Sequence, residues 1–147
     1  MVTGMKEKKF NFWQDHTKQF LVNAFCYNRR KITENPDGYG KNTGTCGDTI
    51  EMFLTIPSNR IQSVTYQTDG CINTNACCNI VAEMSEGKTL DEAWEIYPED
   101  VIEYLETLPE ENHHCAELAV GAFYLALADA EKKKKAFEKS SIDKDKK

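Results

Sequence analysis

Two runs of alternating apolar and polar residues, joined by a short turn, constrain this chain more than any other feature. In residues 49–56, Ile50, Met52, Leu54 and Ile56 alternate with Thr49, Glu51, Phe53 and Thr55. Pro57, Ser58 and Asn59 mark a turn, and residues 60–68 alternate again with β-branched and aromatic side chains. A period of two predicts half-buried strands. Two such runs with a short connection predict an antiparallel hairpin. A hairpin brings its outer ends together, so the chain before residue 49 must lie beside the chain after residue 68.

Helical signals flank the hairpin. In residues 10–27, Trp13, His16, Phe20, Ala24 and Tyr27 recur at steps of three and four, which predicts an amphipathic helix. Pro36, Asp37 and Gly38 signal a turn, and the glycine-rich residues 39–45 read as a flexible lead into the first strand. After the second strand, Asn73, Thr74 or Asn75 is suited to cap a helix that buries Ala76, Cys77, Ile80, Val81 and Met84 and stops at Gly87. Thr89 and Glu92 match a capping box for a short helix, and Pro98 opens another. A last long helix starts between Asn112 and Cys115 and buries Leu118, Ala119, Ala122, Phe123, Ala126 and Leu127. This order is α+β, not an alternating βαβ pattern.

The length of 147 residues suits one domain, residues 10–131, between a flexible start (1–9) and a lysine-rich disordered tail (132–147). The net charge of −6 hides an asymmetry. Residues 131–147 hold eight lysines and four acids, a local +4, which leaves −10 on the rest. An acidic domain repels phosphate backbones, so nucleic-acid binding is not expected. No apolar stretch approaches the roughly 20 residues of a membrane span. No apolar run follows the charged first residues, so the expected location is cytoplasmic.

In that compartment disulfides are rare, and clustered cysteines point to metal binding or catalysis. Of the six cysteines, Cys46, Cys71 and Cys115 fall at element ends. Cys46 and Cys71, 25 residues apart, become neighbours at the open end of the hairpin. Asp48 lies two residues after Cys46, so in extended chain it faces the same way. Cys115 stands at a helix start, where the dipole favours thiolate, and His114 precedes it. Three thiolates with a carboxylate or imidazole suit a four-coordinate metal. Cys26, Cys77 and Cys78 read as packing residues, and His16 and His113 as ordinary helix-end or surface residues. The three cysteines alone leave both a metal site and plain burial open.

Specific motifs extend this reading. They are Gly44-Thr-Cys46-Gly-Asp48, Tyr66-Gln-Thr-Asp-Gly70-Cys71 with Ala76 beyond, Gly87-Lys-Thr-Leu-Asp-Glu-Ala93, and Leu108-Pro109 before His114-Cys115-Ala-Glu-Leu-Ala119. With this order and spacing, residues 19–130 resemble the IscU and NifU N-terminal family of iron–sulfur cluster assembly scaffolds. The resemblance implies an IscU/SufE-like fold, a sheet of about three antiparallel strands with helices packed on one face. It implies a scaffold and carrier, not a turnover enzyme. Such a scaffold accepts sulfur from a cysteine desulfurase, collects iron, assembles a transient 2Fe-2S cluster and transfers it to apo-proteins. The implied cluster ligands are Cys46, Cys71 and Cys115 with Asp48 and His114 at the site. Cys115 would be the persulfide acceptor, and Asp48 would tune cluster lability.

The 44-residue separation of Cys71 and Cys115 is similar to the IscU branch and lacks the insertion of the SufU branch. A zinc-containing persulfide-relay sulfurtransferase of the SufU type is the alternative, since zinc accepts the same ligands. The family's proline-proline-valine-lysine segment stands here as Pro109-Glu-Glu-Asn112. Two acids and a missing lysine argue against the branch's specialised chaperone as a partner.

Overall fold

The computed structural model describes the backbone of residues 17–145 and the side chains of residues 17–139. Its elements are α1 (Lys18–Ala24), β1 (Gly38–Thr43), β2 (Thr49–Thr55), β3 (Ser63–Thr68), α2 (Ile72–Ser85), α3 (Leu90–Ala93), α4 (Pro98–Leu105) and α5 (His113–Asp145). A 3₁₀ turn, Glu110–Asn112, leads into α5. The strands form one antiparallel sheet in the order β1-β2-β3.

The expected hairpin is β2–β3, with Ile50 opposite Thr68 and Leu54 opposite Val64. Its alternation sends Ile50, Met52 and Leu54 inward, together with Val64 and Tyr66, all fully buried. α2 and α5 cover this face and pack against each other. Phe123, Ala126 and Leu127 of α5 are completely enclosed. The architecture is α+β.

Three expectations change. The glycine-rich lead is itself a strand: β1 pairs with β2 from Gly38–Leu54 to Thr43–Thr49. Its glycines serve close packing. A Cβ on Gly38 would run into the Ala126 carbonyl oxygen, and one on Gly40 into the Ala122 carbonyl oxygen and the Ala126 nitrogen. Second, the backbone of α5 continues through Asp145, beyond the boundary at residue 131 where a disordered tail was expected. Lys, Glu and Ala are strong helix formers, and Lys133 pairs with Asp129 at 2.9 Å one turn away. Third, the N-cap of α2 is Cys71, not a residue of 73–75.

Only the end of the predicted helix over residues 10–27 falls within the described part, as α1; His16 lies outside the described residues. Two asparagines of α2 fasten α1. Asn75 donates to the carbonyls of Ala24 and Cys26 at 3.0 and 2.8 Å, and Asn79 to those of Asn23 and Cys26 at 2.7 and 2.8 Å. The Asn23 and Ala24 carbonyls belong to the last turn of α1, where a helix leaves carbonyls without intrahelical partners, and Cys26 follows just past its C-cap. The Tyr66 hydroxyl completes the set by donating to the Asn75 side-chain oxygen at 2.5 Å.

Candidate functional site

The open end of the sheet carries the site. Because β1 pairs with β2, Cys46 sits in the connection between them, residues 44–48. Two backbone hydrogen bonds close this loop: Gly44 N–H to the Asp48 carbonyl at 2.9 Å and Gly47 N–H to the Gly44 carbonyl at 3.0 Å. Gly47 has φ of 94°, a left-handed value that favours glycine. The turn leaves Cys46 exposed and Asp48 half-buried. Across the hairpin, the Thr49 amide donates to the Asp69 carboxylate at 2.8 Å and so ties the start of β2 to the end of β3. Cys71 follows two residues later and is exposed.

Cys115 is different. It is the third residue of α5 and only 1% exposed. The Thr74 hydroxyl, from the first turn of α2, donates to its sulfur at 3.4 Å, and the Asn112 amide approaches at 3.9 Å. His114 Nε2 lies 3.7 Å from the same sulfur, while its Nδ1 is 2.9 Å from the Glu111 carbonyl oxygen. A carbonyl can only accept, so Nδ1 carries the ring proton and the Nε2 lone pair faces Cys115. This tautomer presents Nε2 as a metal ligand or as an acceptor for the thiol proton.

Electrostatics at Cys115 run against the sequence expectation. Burial pushes the thiol above its ordinary pKa, hydrogen bonds from Thr74 and Asn112 pull it back, and the Cys71 and Cys46 sulfurs raise it further. The helix start alone does not make this an activated thiolate. Backbone placement sets all three cysteines at one end of the sheet: Cys46 follows β1, Cys71 follows β3, and the start of α5 packs beside Gly44 and Thr74.

They are near one another without being gathered: among the described residues, no group of three or more His, Cys, Asp or Glu stands close enough to hold a metal ion. Two thiols face solvent while the third is buried. An open cleft of about 250 Å³, lined by Gly44, Thr45, His114 and Glu117 among others, separates the Cys46 loop from the start of α5. The donor set of soft thiolates with one carboxylate and one imidazole is compatible with iron or zinc.

Cys77 and Cys78 are fully buried in the core. Burial and the neighbouring thiols hold the Cys77 pKa far up, and burial does the same for Cys78. Cys26 is half-buried, and His113 Nε2 lies 3.3 Å from the Leu108 carbonyl oxygen at the helix start. Thr74 and Asn112 escaped the sequence reading as site residues. A helix begun at Cys71 would have put Thr74 one turn on, facing the same way as Cys71.

Known proteins match this chain in sequence and in fold. The NifU-like N terminal domain matches residues 27–137. One of the iron–sulfur cluster assembly scaffold proteins IscU of Archaeoglobus fulgidus is 36% identical over 97 residues, 65% of this chain and 63% of that protein. This chain thus spans less than two thirds of that relative's length. The iron–sulfur cluster assembly scaffold protein IscU of Escherichia coli is 36% identical over 92 residues, 62% of this chain and 71% of that one. In structure, the N-terminal part of a nitrogen-fixing NifU-like protein of Brucella abortus superimposes with a TM-score of 0.65 over 79% of this chain and 94% of that one. At 17% identity, that likeness speaks for the fold. With three-quarters of its length matched by one domain family and its fold in agreement, the chain belongs to the NifU-like N-terminal domain family.

Proposed function

We propose that this chain is a scaffold on which an iron–sulfur cluster is assembled and from which it is passed on. The observation that carries the reading is the placement of three cysteines, from three separate elements, at one end of the sheet. Cys46 comes from the β1–β2 loop, Cys71 from the N-cap of α2, and Cys115 from the start of α5. The relatives named as cluster assembly scaffolds support it.

In this reading Cys115 is the sulfur acceptor. Its proton goes to His114 Nε2, and its sulfur attacks the outer sulfur of a cysteine desulfurase persulfide. One S–S bond forms as another breaks, and the desulfurase cysteine leaves as thiolate. Iron and sulfur are the cargo. Cys46, Cys71 and Cys115 hold it as a 2Fe-2S cluster, with Asp48 or His114 in the remaining position. The short glycine-bearing loop of Cys46 supplies the movement that gathers the ligands. A carboxylate is a harder ligand than thiolate, and its weaker hold on iron suits a cluster that must be given up to apo-proteins. No turnover chemistry of the chain's own is required.

Anaerobic reconstitution with ferrous iron, cysteine and a desulfurase tests this. Sulfur-to-iron charge-transfer bands, with iron and sulfide in equal amounts, are the expected result. A colourless protein holding one tight zinc that iron does not displace would overturn it in favour of a zinc-dependent sulfur relay.

A further inference from the structure

The described part of the chain contains one polar side chain that is fully buried, reaches the Cys115 sulfur and has no place in the ligand set. Thr74 is 0% exposed. Threonine hydroxyls within helices commonly bond back to a carbonyl one turn earlier. That of Thr74 instead leaves its own helix and donates to Cys115 on α5. The room for this side chain depends on its neighbour: a Cβ on Gly70 would lie 2.6 to 2.8 Å from the Thr74 Oγ1, Cβ and Cγ2 atoms. Glycine at position 70 thus leaves the room that the Thr74 side chain fills.

We infer that Thr74 is a positioning residue for sulfur acceptance, holding the Cys115 sulfur by its hydroxyl in the space that Gly70 leaves open. The inference rests on the scaffold reading for its biological meaning. The Sγ atom accepts the Thr74 proton, which leaves the S–H bond free to point at His114 Nε2. When that proton departs, the buried sulfur keeps a hydroxyl donor and needs no water to stabilise it. Valine at position 74 retains the shape and removes the donor, whereas serine retains the donor and loses a methyl group.

The full-length chain is treated anaerobically with inorganic polysulfide, and persulfide at each cysteine is followed by alkylation and peptide mass spectrometry. The Cys115 sulfur takes a terminal sulfane sulfur, one S–S bond forming as another breaks, and the shortened polysulfide leaves as an anion. Thr74→Val is expected to slow Cys115 by roughly tenfold, the kinetic equivalent of one hydrogen bond to a charged atom. Thr74→Ser restores most of the rate, and the exposed Cys46 reacts unchanged in all three proteins. Gly70→Ala, which drives the hydroxyl off its position, slows Cys115 as well. Wild-type rates in Thr74→Val, a Thr74→Ser protein as slow as the valine variant, or a parallel loss at Cys46 would overturn the inference. Neither iron nor desulfurase enters this assay. A protein that shows the Thr74 effect yet builds no cluster therefore refutes the scaffold reading alone, and the reverse result refutes this inference alone.

Discussion

At the scale of single residues, burial sorts the thiols. Cys46 and Cys71 stand in solvent, whereas Cys77 and Cys78 are enclosed and hard to ionise. The thiolate is the species that reacts with alkylating agents, and it must be reached. Iodoacetamide is expected to modify Cys46 and Cys71 in the native protein, and Cys77 and Cys78 only after unfolding, as read by peptide mass spectrometry. Early labelling of Cys77 or Cys78 would place them in a more open region than α2. A second expectation concerns Asp48, beside Cys46 at the loop end. On the scaffold reading Asp48 is a hard, weakly held ligand, and removing it leaves the soft thiolates to dominate. Asp48→Ala is expected to lengthen the lifetime of a reconstituted cluster, followed as visible absorbance in air. Faster bleaching than wild type would remove Asp48 from that role.

Elements are fixed by a few polar contacts at their ends. The Thr89 hydroxyl accepts from the Glu92 amide at 3.2 Å, and the Glu92 carboxylate accepts from the Thr89 amide at 2.9 Å. This capping box starts α3 as the sequence pattern predicts. Thr89→Ala should lower stability by about 1 kcal/mol, the usual cost of a lost N-cap, measured by urea denaturation. Hydrogen bonds from the Thr89 backbone and side chain, with Arg60 and Lys88 nearby, hold the Glu92 pKa below the ordinary glutamate value. A depressed folded-state pKa stabilises above the unfolded-state value and is lost as pH falls through the folded one. The stability gap between wild type and Glu92→Gln should therefore close on acidification. A gap that stays constant from neutral to acid pH would contradict the pairing. By contrast, α2 starts at Cys71 without a side-chain cap bond. The nearby Asn75 is committed to the α1 carbonyls and Thr74 to Cys115, so tertiary partners took the groups that local capping rules would have used.

For the whole molecule, the tight contact is between β1 and α5. The backbone of α5 lies directly on Gly40, with Ala122 and Ala126 at the crossing. Adding a methyl group there meets backbone, which cannot swing aside as a side chain does. Gly40→Ala should destabilise by about 1 to 3 kcal/mol, read as a lower Tm and urea midpoint. Because β1 also carries one side of the Cys46 loop, a cluster reconstituted on this variant should form in lower yield. Unchanged stability would mean that sheet and helix can separate without loss.

Local chemistry made much of this chain legible. The period-two alternation around Ile50, Met52 and Leu54, the Thr89–Glu92 box, Pro98 and the apolar stripe of α5 act between residues close in sequence, so their pattern survives in one dimension. Hairpin pairing extended that reach far enough to expect Cys46, Asp48 and Cys71 at one end of the sheet, and motif resemblance pointed to Cys115 and His114. Only the tertiary structure decided that residues 38–43 are a strand. Their glycines look like a loop until the α5 backbone that requires them is in place. It alone buried Cys115 under Thr74, turned the His114 Nε2 towards that sulfur through the Glu111 carbonyl, and left Cys46 and Cys71 outside. Those outcomes depend on which helices cross which strands, and burial and long-range hydrogen bonding arise only when segments distant in sequence pack together.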